Sequence, residues 1–194
     1  MKDFLLKFKQ YCKERNWIID QYTSEFTLQF RLCRYIDSID SNFNIELESN
    51  INRYGLYNLT KKEIDIDFYK KDTGRSSIEV KFIRDKGSYN IGMFKFYEDI
   101  KFVEELVNSS QFKNGFCLLF TSIPEIYTSP NKNINPRNKE NLTLYNSFRN
   151  DKTLKGTVAI RTGKINQSIT IEGIYKLCWI DFCDGIKSCM VEII

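Results

Sequence analysis

Apolar residues recur at helical spacing near the start of the chain. Phe4, Leu5, Phe8, Tyr11 and Cys12, with Lys and Glu between them, predict a helix over 3–15. Phe26, Phe30, Cys33 and Ile36 form the apolar stripe of a second helix over 24–38, and Ser24 stands where an N-cap belongs. From Phe43 the period changes to two: Phe43, Ile45 and Leu47 face one way, Asn44, Glu46 and Glu48 the other. Glu63 to Tyr69 alternates again, Lys71 to Gly74 is a turn in which Gly74 can take positive φ, and Ser77 to Ile83 returns as the second strand of a hairpin.

Further on, Phe94, Phe96, Ile100, Val103, Leu106 and Val107 mark a helix over 91–108, closed by Asn114-Gly115. Phe116 to Phe120 reads as a buried strand. Ser122 to Asn141 holds all three prolines and many Asn, which predicts a long loop or flap, followed by a short helix at 141–149. Short alternating runs split by glycines over Leu154 to Ile194 predict a C-terminal set of antiparallel strands. No internal repeat is present.

This order predicts an α/β fold, a three-layer-like sandwich with a mixed central β-sheet flanked by helices and extra C-terminal antiparallel strands. At 194 residues the chain suits a single domain over 1–194. Its core would cover about 20–121, with a C-terminal extension over 142–194 after the Pro/Asn-rich loop.

Composition changes the picture chiefly by what is missing. The chain has no histidine. That removes Ser-His and Cys-His nucleophilic sites, histidine-dependent nucleases and most catalytic zinc sites, and leaves carboxylates, Lys, Tyr, Ser or Cys. Hard, oxygen-ligated metals stay available. The formal charge of +4 is compatible with a phosphate-bearing partner without requiring one. The six cysteines have no CxxC spacing and several sit in apolar runs, so they are expected to be buried free thiols of a reducing compartment. The N-terminus lacks a secretory apolar region, and no apolar run approaches a membrane span. A cytoplasmic protein without membrane contact is expected.

The chemistry concentrates on the hairpin. Asp65 and Asp67 share one face of the first strand, opposite Ile64, Ile66 and Phe68. Glu79 and Lys81 share a face of the second, with Ile78, Val80 and Phe82 opposite. Paired strands can bring the two polar faces together. Neighbouring carboxylates repel unless a cation lies between them, and Mg²⁺ favours such oxygens. A lysine beside them can steady a water and the charge of a phosphate in transition.

An Asp leading one strand, a turn, Glu-x-Lys on the next strand, then a helix and another strand resembles the PD-(D/E)XK nuclease superfamily, of which restriction endonucleases are the best-known members. The resemblance covers about residues 20–121 and implies a Mg²⁺- or Mn²⁺-dependent endonuclease that hydrolyses DNA phosphodiester bonds. Carried over by position, Asp65 and Glu79 bind the metal with the Val80 backbone carbonyl, and Lys81 serves the attacking water. Glu25, at the start of the second helix, matches the acid that many members place there. Two departures stand out. Ile64 replaces the proline, and Asp67 points the same way as Asp65, so it remains an alternative metal ligand. A homodimer would let two sites cut both strands. Competing expectations are an inactive nuclease-like module that binds nucleic acid or a partner protein, and a nuclease directed at junctions or RNA.

Arg84, Lys86 and Lys95, interleaved with Tyr89 and Tyr97, form a basic and aromatic rim suited to DNA phosphates. Lys132, Arg137 and Lys139 place further charge on the long loop. Gly87 to Gly92 has phosphate-loop glycine spacing but lacks the Lys-Ser/Thr that must follow. Gly173-Ile174-Tyr175 resembles half of a GIY-YIG signature without its second half, and reads as a strand.

Overall fold

A computed structural model describes residues 2–71, 73–128, 141–150 and 152–194. Most of the loop expected over 122–141, including Lys132, Arg137 and Lys139, lies outside the described residues.

Two helices come first, α1 (Lys2–Glu14) and α2 (Glu25–Ile39). The Ser24 hydroxyl accepts the Thr27 N–H and caps α2. Strand β1 (Asn44–Asn50) leads through a short 3₁₀ turn (Ile51–Tyr54) and a loop to β2 (Glu63–Lys70), which pairs antiparallel with β3 (Gly74–Ile83). Gly74 takes φ +85°, the left-handed conformation that this turn requires. Helix α3 (Tyr89–Asn108) then crosses over to β4 (Asn114–Thr121), which lies parallel to β3. A parallel neighbour demands such a crossover.

One helical turn, α4 (Pro124–Tyr127), follows, and after the residues not described a short α5 (Leu142–Ser147). Strands β5 (Thr153–Thr162) and β6 (Ile165–Lys176) make a separate hairpin. Strands β7 (Ile180–Cys183) and β8 (Ile186–Ile193) return to the main sheet. The result is an α/β molecule with a mixed six-stranded sheet in the order β1-β2-β3-β4-β8-β7, flanked by helices.

Both faces of the sheet are covered. On one, Leu5 and Phe8 of α1 and Leu28, Leu32 and Ile36 of α2 pack on Ile66, Ile78, Val80, Leu118 and Phe120. On the other, α3 lies between the sheet and the β5–β6 hairpin, so Phe96, Ile100 and Val103 meet Cys117, Leu119 and Val191 as well as Val158 and Ile171. That leaves α3 buried on more than one side and explains its length of apolar sequence. Among the described residues no helix is long and apolar enough to cross a membrane.

Three expectations are corrected here. Helix α2 buries Leu28, Leu32, Tyr35 and Ile36, whereas Phe26 and Phe30 face outward. Ile64 does not join Ile66; it packs with Phe102, Leu106 and Phe112 of the α3 side, where β2 has parted from β3 and stays paired only with β1. Tyr97 belongs to the core rather than to a rim.

The close seat of α3 depends on Gly115. A Cβ there would stand 2.3 Å from Val103 Cγ1 and 2.6 Å from Ser77 Oγ. Gly115→Ala is expected to destabilise the protein by about 1–3 kcal/mol through overpacking, read from the urea midpoint. A second anchor is the buried Glu104 of α3. Its carboxylate accepts the N–H groups of Glu172 (2.9 Å) and Gly173 (2.7 Å) and the Tyr175 hydroxyl (2.9 Å). The Gly-Ile-Tyr triplet is thereby a strand tied to α3. Glu104→Ala strips these donors of their acceptor and is expected to cost about 2–3 kcal/mol in the same measurement.

Candidate active site

The β2–β3 ladder runs from Lys70/Gly74 to Ile66/Ile78 and stops there. The next two residues along the strands are Asp65 and Glu79. Where backbone bonds would continue, the side chains take over. Glu79 Oε1 accepts the Asp65 N–H at 3.2 Å, and Asp65 Oδ2 accepts the Val80 N–H at 2.7 Å. Two carboxylates are thus inserted between splayed strands. Glu79 is fully buried, and burial, reinforced by the negative charge of Asp65, pushes its carboxyl well above the usual range. Burial also raises Asp65, against the lowering effect of Lys61.

Two residues that the sequence reading missed complete this cluster. Lys61, in the loop before β2, places its ammonium on Glu79 Oε2 and 3.0 Å from Asp99 Oδ1. That loop is pinned to α3, since Glu105 accepts the Thr60 N–H at 2.7 Å and its hydroxyl at 2.9 Å. Burial opposes the charge of Lys61, but Glu79, Asp99 and Asp65 outweigh it and hold the ammonium protonated. Asp99 is buried on α3, and its Oδ2 has no hydrogen-bond partner among the described residues. A signal for Asp99 exists in the sequence: it stands three residues after Phe96 and four before Val103, inside the helix's apolar stripe. Nothing local marks Lys61 among the chain's many lysines.

Lys81 lies on the same face of β3, one pleat beyond Glu79. Glu25 at the first turn of α2 reaches it: Lys81 Nζ donates to Glu25 Oε2 at 3.2 Å, and the Phe82 N–H donates to Glu25 Oε1 at 2.9 Å. Burial works against the Lys81 charge, yet Asp99 and Glu25 raise its affinity for the proton. Glu25, Lys81, Arg84 and Lys95 line an open cleft of about 270 Å³.

Asp67 is placed differently. Its buried carboxylate receives the Tyr54 hydroxyl and the Arg75 guanidinium, and its other oxygen is unpaired among the described residues. It therefore forms a separate ion pair and does not join Glu79. Val80 is central in β3 with its side chain in the α1/α2-side core. Of the expected basic rim, Lys95 is exposed at the cleft. Arg84 donates to the carbonyls of Gln21 (3.3 Å) and Thr23 (2.8 Å), and Lys86 pairs with Glu125 at 2.8 Å. Tyr89 is half-buried against Tyr145.

No family model matches this chain, and no curated protein or solved structure is significantly similar to it.

Among the described residues no three Asp, Glu, His or Cys side chains form a ready-made metal cage. The charge balance nevertheless suits a cation. Among the described residues, the four carboxyl groups of Glu25, Asp65, Glu79 and Asp99 gather around two contacting ammonium groups, Lys61 and Lys81, so this set carries two negative charges in excess when all are ionised. A hard divalent cation matches both that excess and an all-oxygen donor set. The unpartnered Asp99 oxygen marks where compensation is short. The six cysteines are unpaired; Cys12, Cys117 and Cys189 are buried as expected, while Cys178 is exposed.

Proposed function

We propose that the chain is a metal-dependent endonuclease that hydrolyses DNA phosphodiester bonds, built on a restriction endonuclease-like, PD-(D/E)XK core. The observation that carries this reading is that Asp65 of β2 and Glu79 of β3 are set against each other, while Lys81, on the same face of β3 as Glu79, is held by Glu25 of α2 at the wall of a cleft.

Asp65 and Glu79, with the Val80 carbonyl, are the residues that would hold Mg²⁺ or Mn²⁺. Such an ion, when bound, supplies charge neutralisation at the phosphate and activation of the attacking water. The protein's own groups do the rest. Lys81 presents an ammonium that Asp99 and Glu25 keep charged and Glu25 keeps in place, so it donates to oxygens at the reacting phosphate. Glu25 fixes that ammonium and the β3 backbone together. Lys95 adds positive charge at the mouth, where a phosphate backbone would run. Free thiols suit a reducing, cytoplasmic setting, and a homodimer would supply a second site for the opposite strand.

The test is plasmid cleavage with Mg²⁺ and with EDTA. Cutting is expected with Mg²⁺ alone, and is expected to vanish in Glu79→Ala. Activity retained in both Glu79→Ala and Lys81→Ala would sink the assignment.

One observation favours a second reading. Lys61 already neutralises Glu79, as in a nuclease-like module that has given up metal for a lysine and binds nucleic acid or a partner protein without cutting. Titration of the purified protein with Mn²⁺ separates the two: the module binds none.

A further inference from the structure

The outward face of α2 is the largest departure from expectation, and it lies beside the cleft. Tyr22, Phe26 and Phe30 are 81%, 59% and 50% exposed, and Ile18 is 74% exposed. Residues four apart share a helix face, so Phe26 and Phe30 form one stripe, and Tyr22 lies in the turn just before the helix. The helix does not need this stripe for folding, because Leu28, Leu32, Tyr35 and Ile36 already bury its other side.

Tyr22 is held rather than dangling. Asp20 Oδ1 accepts the N–H groups of Tyr22 (2.9 Å) and Thr23 (3.1 Å), and the Asp20 N–H donates to Thr23 Oγ1 at 3.0 Å. On either side of Tyr22, the carbonyls of Gln21 and Thr23 accept the Arg84 guanidinium. Arg84 also lines the cleft, as does Glu25, the residue next to Phe26. Arg84 thus ties the turn that carries Tyr22 to the cleft wall, and Phe26 follows Glu25 at the cleft's edge. The cleft's cations are Lys81, Arg84 and Lys95. Its acids are engaged within the protein, Glu25 with Lys81 and Asp85 with the Gly87 N–H and Ser88 hydroxyl.

Exposed rings near these cations match the chemistry of an unpaired DNA strand. Bases stack on aromatic faces while phosphates follow the positive charge, and a closed duplex offers no ring faces to stack. We infer that Tyr22 and Phe26 form a stacking platform for single-stranded DNA, which feeds a strand or an unpaired flap into the cleft at Lys81. This rests on the nuclease reading for what happens in the cleft, but the binding itself does not.

The experiment measures binding without cutting. A fluorescein-labelled oligothymidylate and a blunt duplex of equal length are titrated with the full chain in EDTA at one fixed salt concentration, and anisotropy is read. The single strand is expected to bind at least about tenfold more tightly than the duplex. Tyr22→Ala and Phe26→Ala are each expected to weaken the single strand about tenfold and leave the duplex unchanged, whereas Tyr22→Trp keeps the affinity. Both alanine variants are surface changes, and unchanged melting temperatures verify their folding.

Equal affinity for the two probes, or alanine variants that bind the single strand like the parent, overturns the inference. Alanine variants that turn a dimer into a monomer in sedimentation, with single-strand affinity unchanged, overturn it in favour of a second copy on this face. A protein that binds the single strand but never cuts removes the nuclease reading and leaves this one standing.

Discussion

Lys81→Met is expected to lower the maximal cleavage rate by about a hundred- to a thousandfold, the range seen when a preorganised charge-stabilising donor is removed. Methionine keeps the length and the apolar stem and removes only the ammonium. The size of the effect follows from the surroundings. Lys81 is mostly buried, so its field acts in a poorly screened site, and Glu25 holds it at 3.2 Å before any substrate arrives. Rates at saturating Mg²⁺, with Mn²⁺ affinity measured separately, check this: the rate should fall while the metal still binds. Glu25→Gln keeps a hydrogen bond and loses the charge that steadies Lys81, and a loss of about tenfold is expected there. A Lys81→Met enzyme that cuts at the parental rate would remove Lys81 from the chemistry.

Lys61→Met in EDTA is expected to destabilise the fold by about 3 kcal/mol, since removing one partner of a buried ion pair strands the other. Here the stranded groups are Glu79, which has no exposure, and Asp99, both of which contact the Lys61 ammonium. For a chain of this size the loss corresponds to roughly 6–12 °C in melting temperature. Millimolar Mn²⁺ is expected to return most of it, because a divalent cation replaces the missing charge and binds the folded state alone. The same variant should bind Mn²⁺ more tightly than the parent, as no ammonium competes for Glu79. Calorimetry with and without Mn²⁺ reads both effects. An unchanged melting temperature in EDTA would mean that Lys61 is not the counter-ion of Glu79. A loss that Mn²⁺ cannot repair would mean that the cluster is an ion pair only, which supports the non-cutting module.

Much of the architecture was legible from periodicity. The change from helical to period-two spacing at Phe43, the turn at Gly74 and the continuous apolar run at Phe116 correspond to β1, the β2–β3 hairpin and the buried β4. The face shared by Glu79 and Lys81 was equally legible, because alternation along a strand is a local property. What the pattern could not tell was what lies over a face. Helix α2 has apolar residues around much of its circumference. The stripe of Phe26 and Phe30 and the stripe of Leu28 and Leu32 are both helical patterns, and only docking against β3 and α1 buries the second.

By itself, the sequence determined which residues alternate on each strand, that no histidine chemistry is available, and that Ser24 begins α2. Tertiary structure decided the rest of the site. It splayed β2 from β3 at Asp65, which set Asp65 against Glu79, and gave Asp67 to Arg75 and Tyr54. It brought Lys61 and Asp99 into the cluster from a loop and a distant helix. The physical reason is range. A strand's pleat and a helix's turn are written in neighbouring residues, whereas the partner of a buried charge is whichever group the packing delivers within a few ångströms.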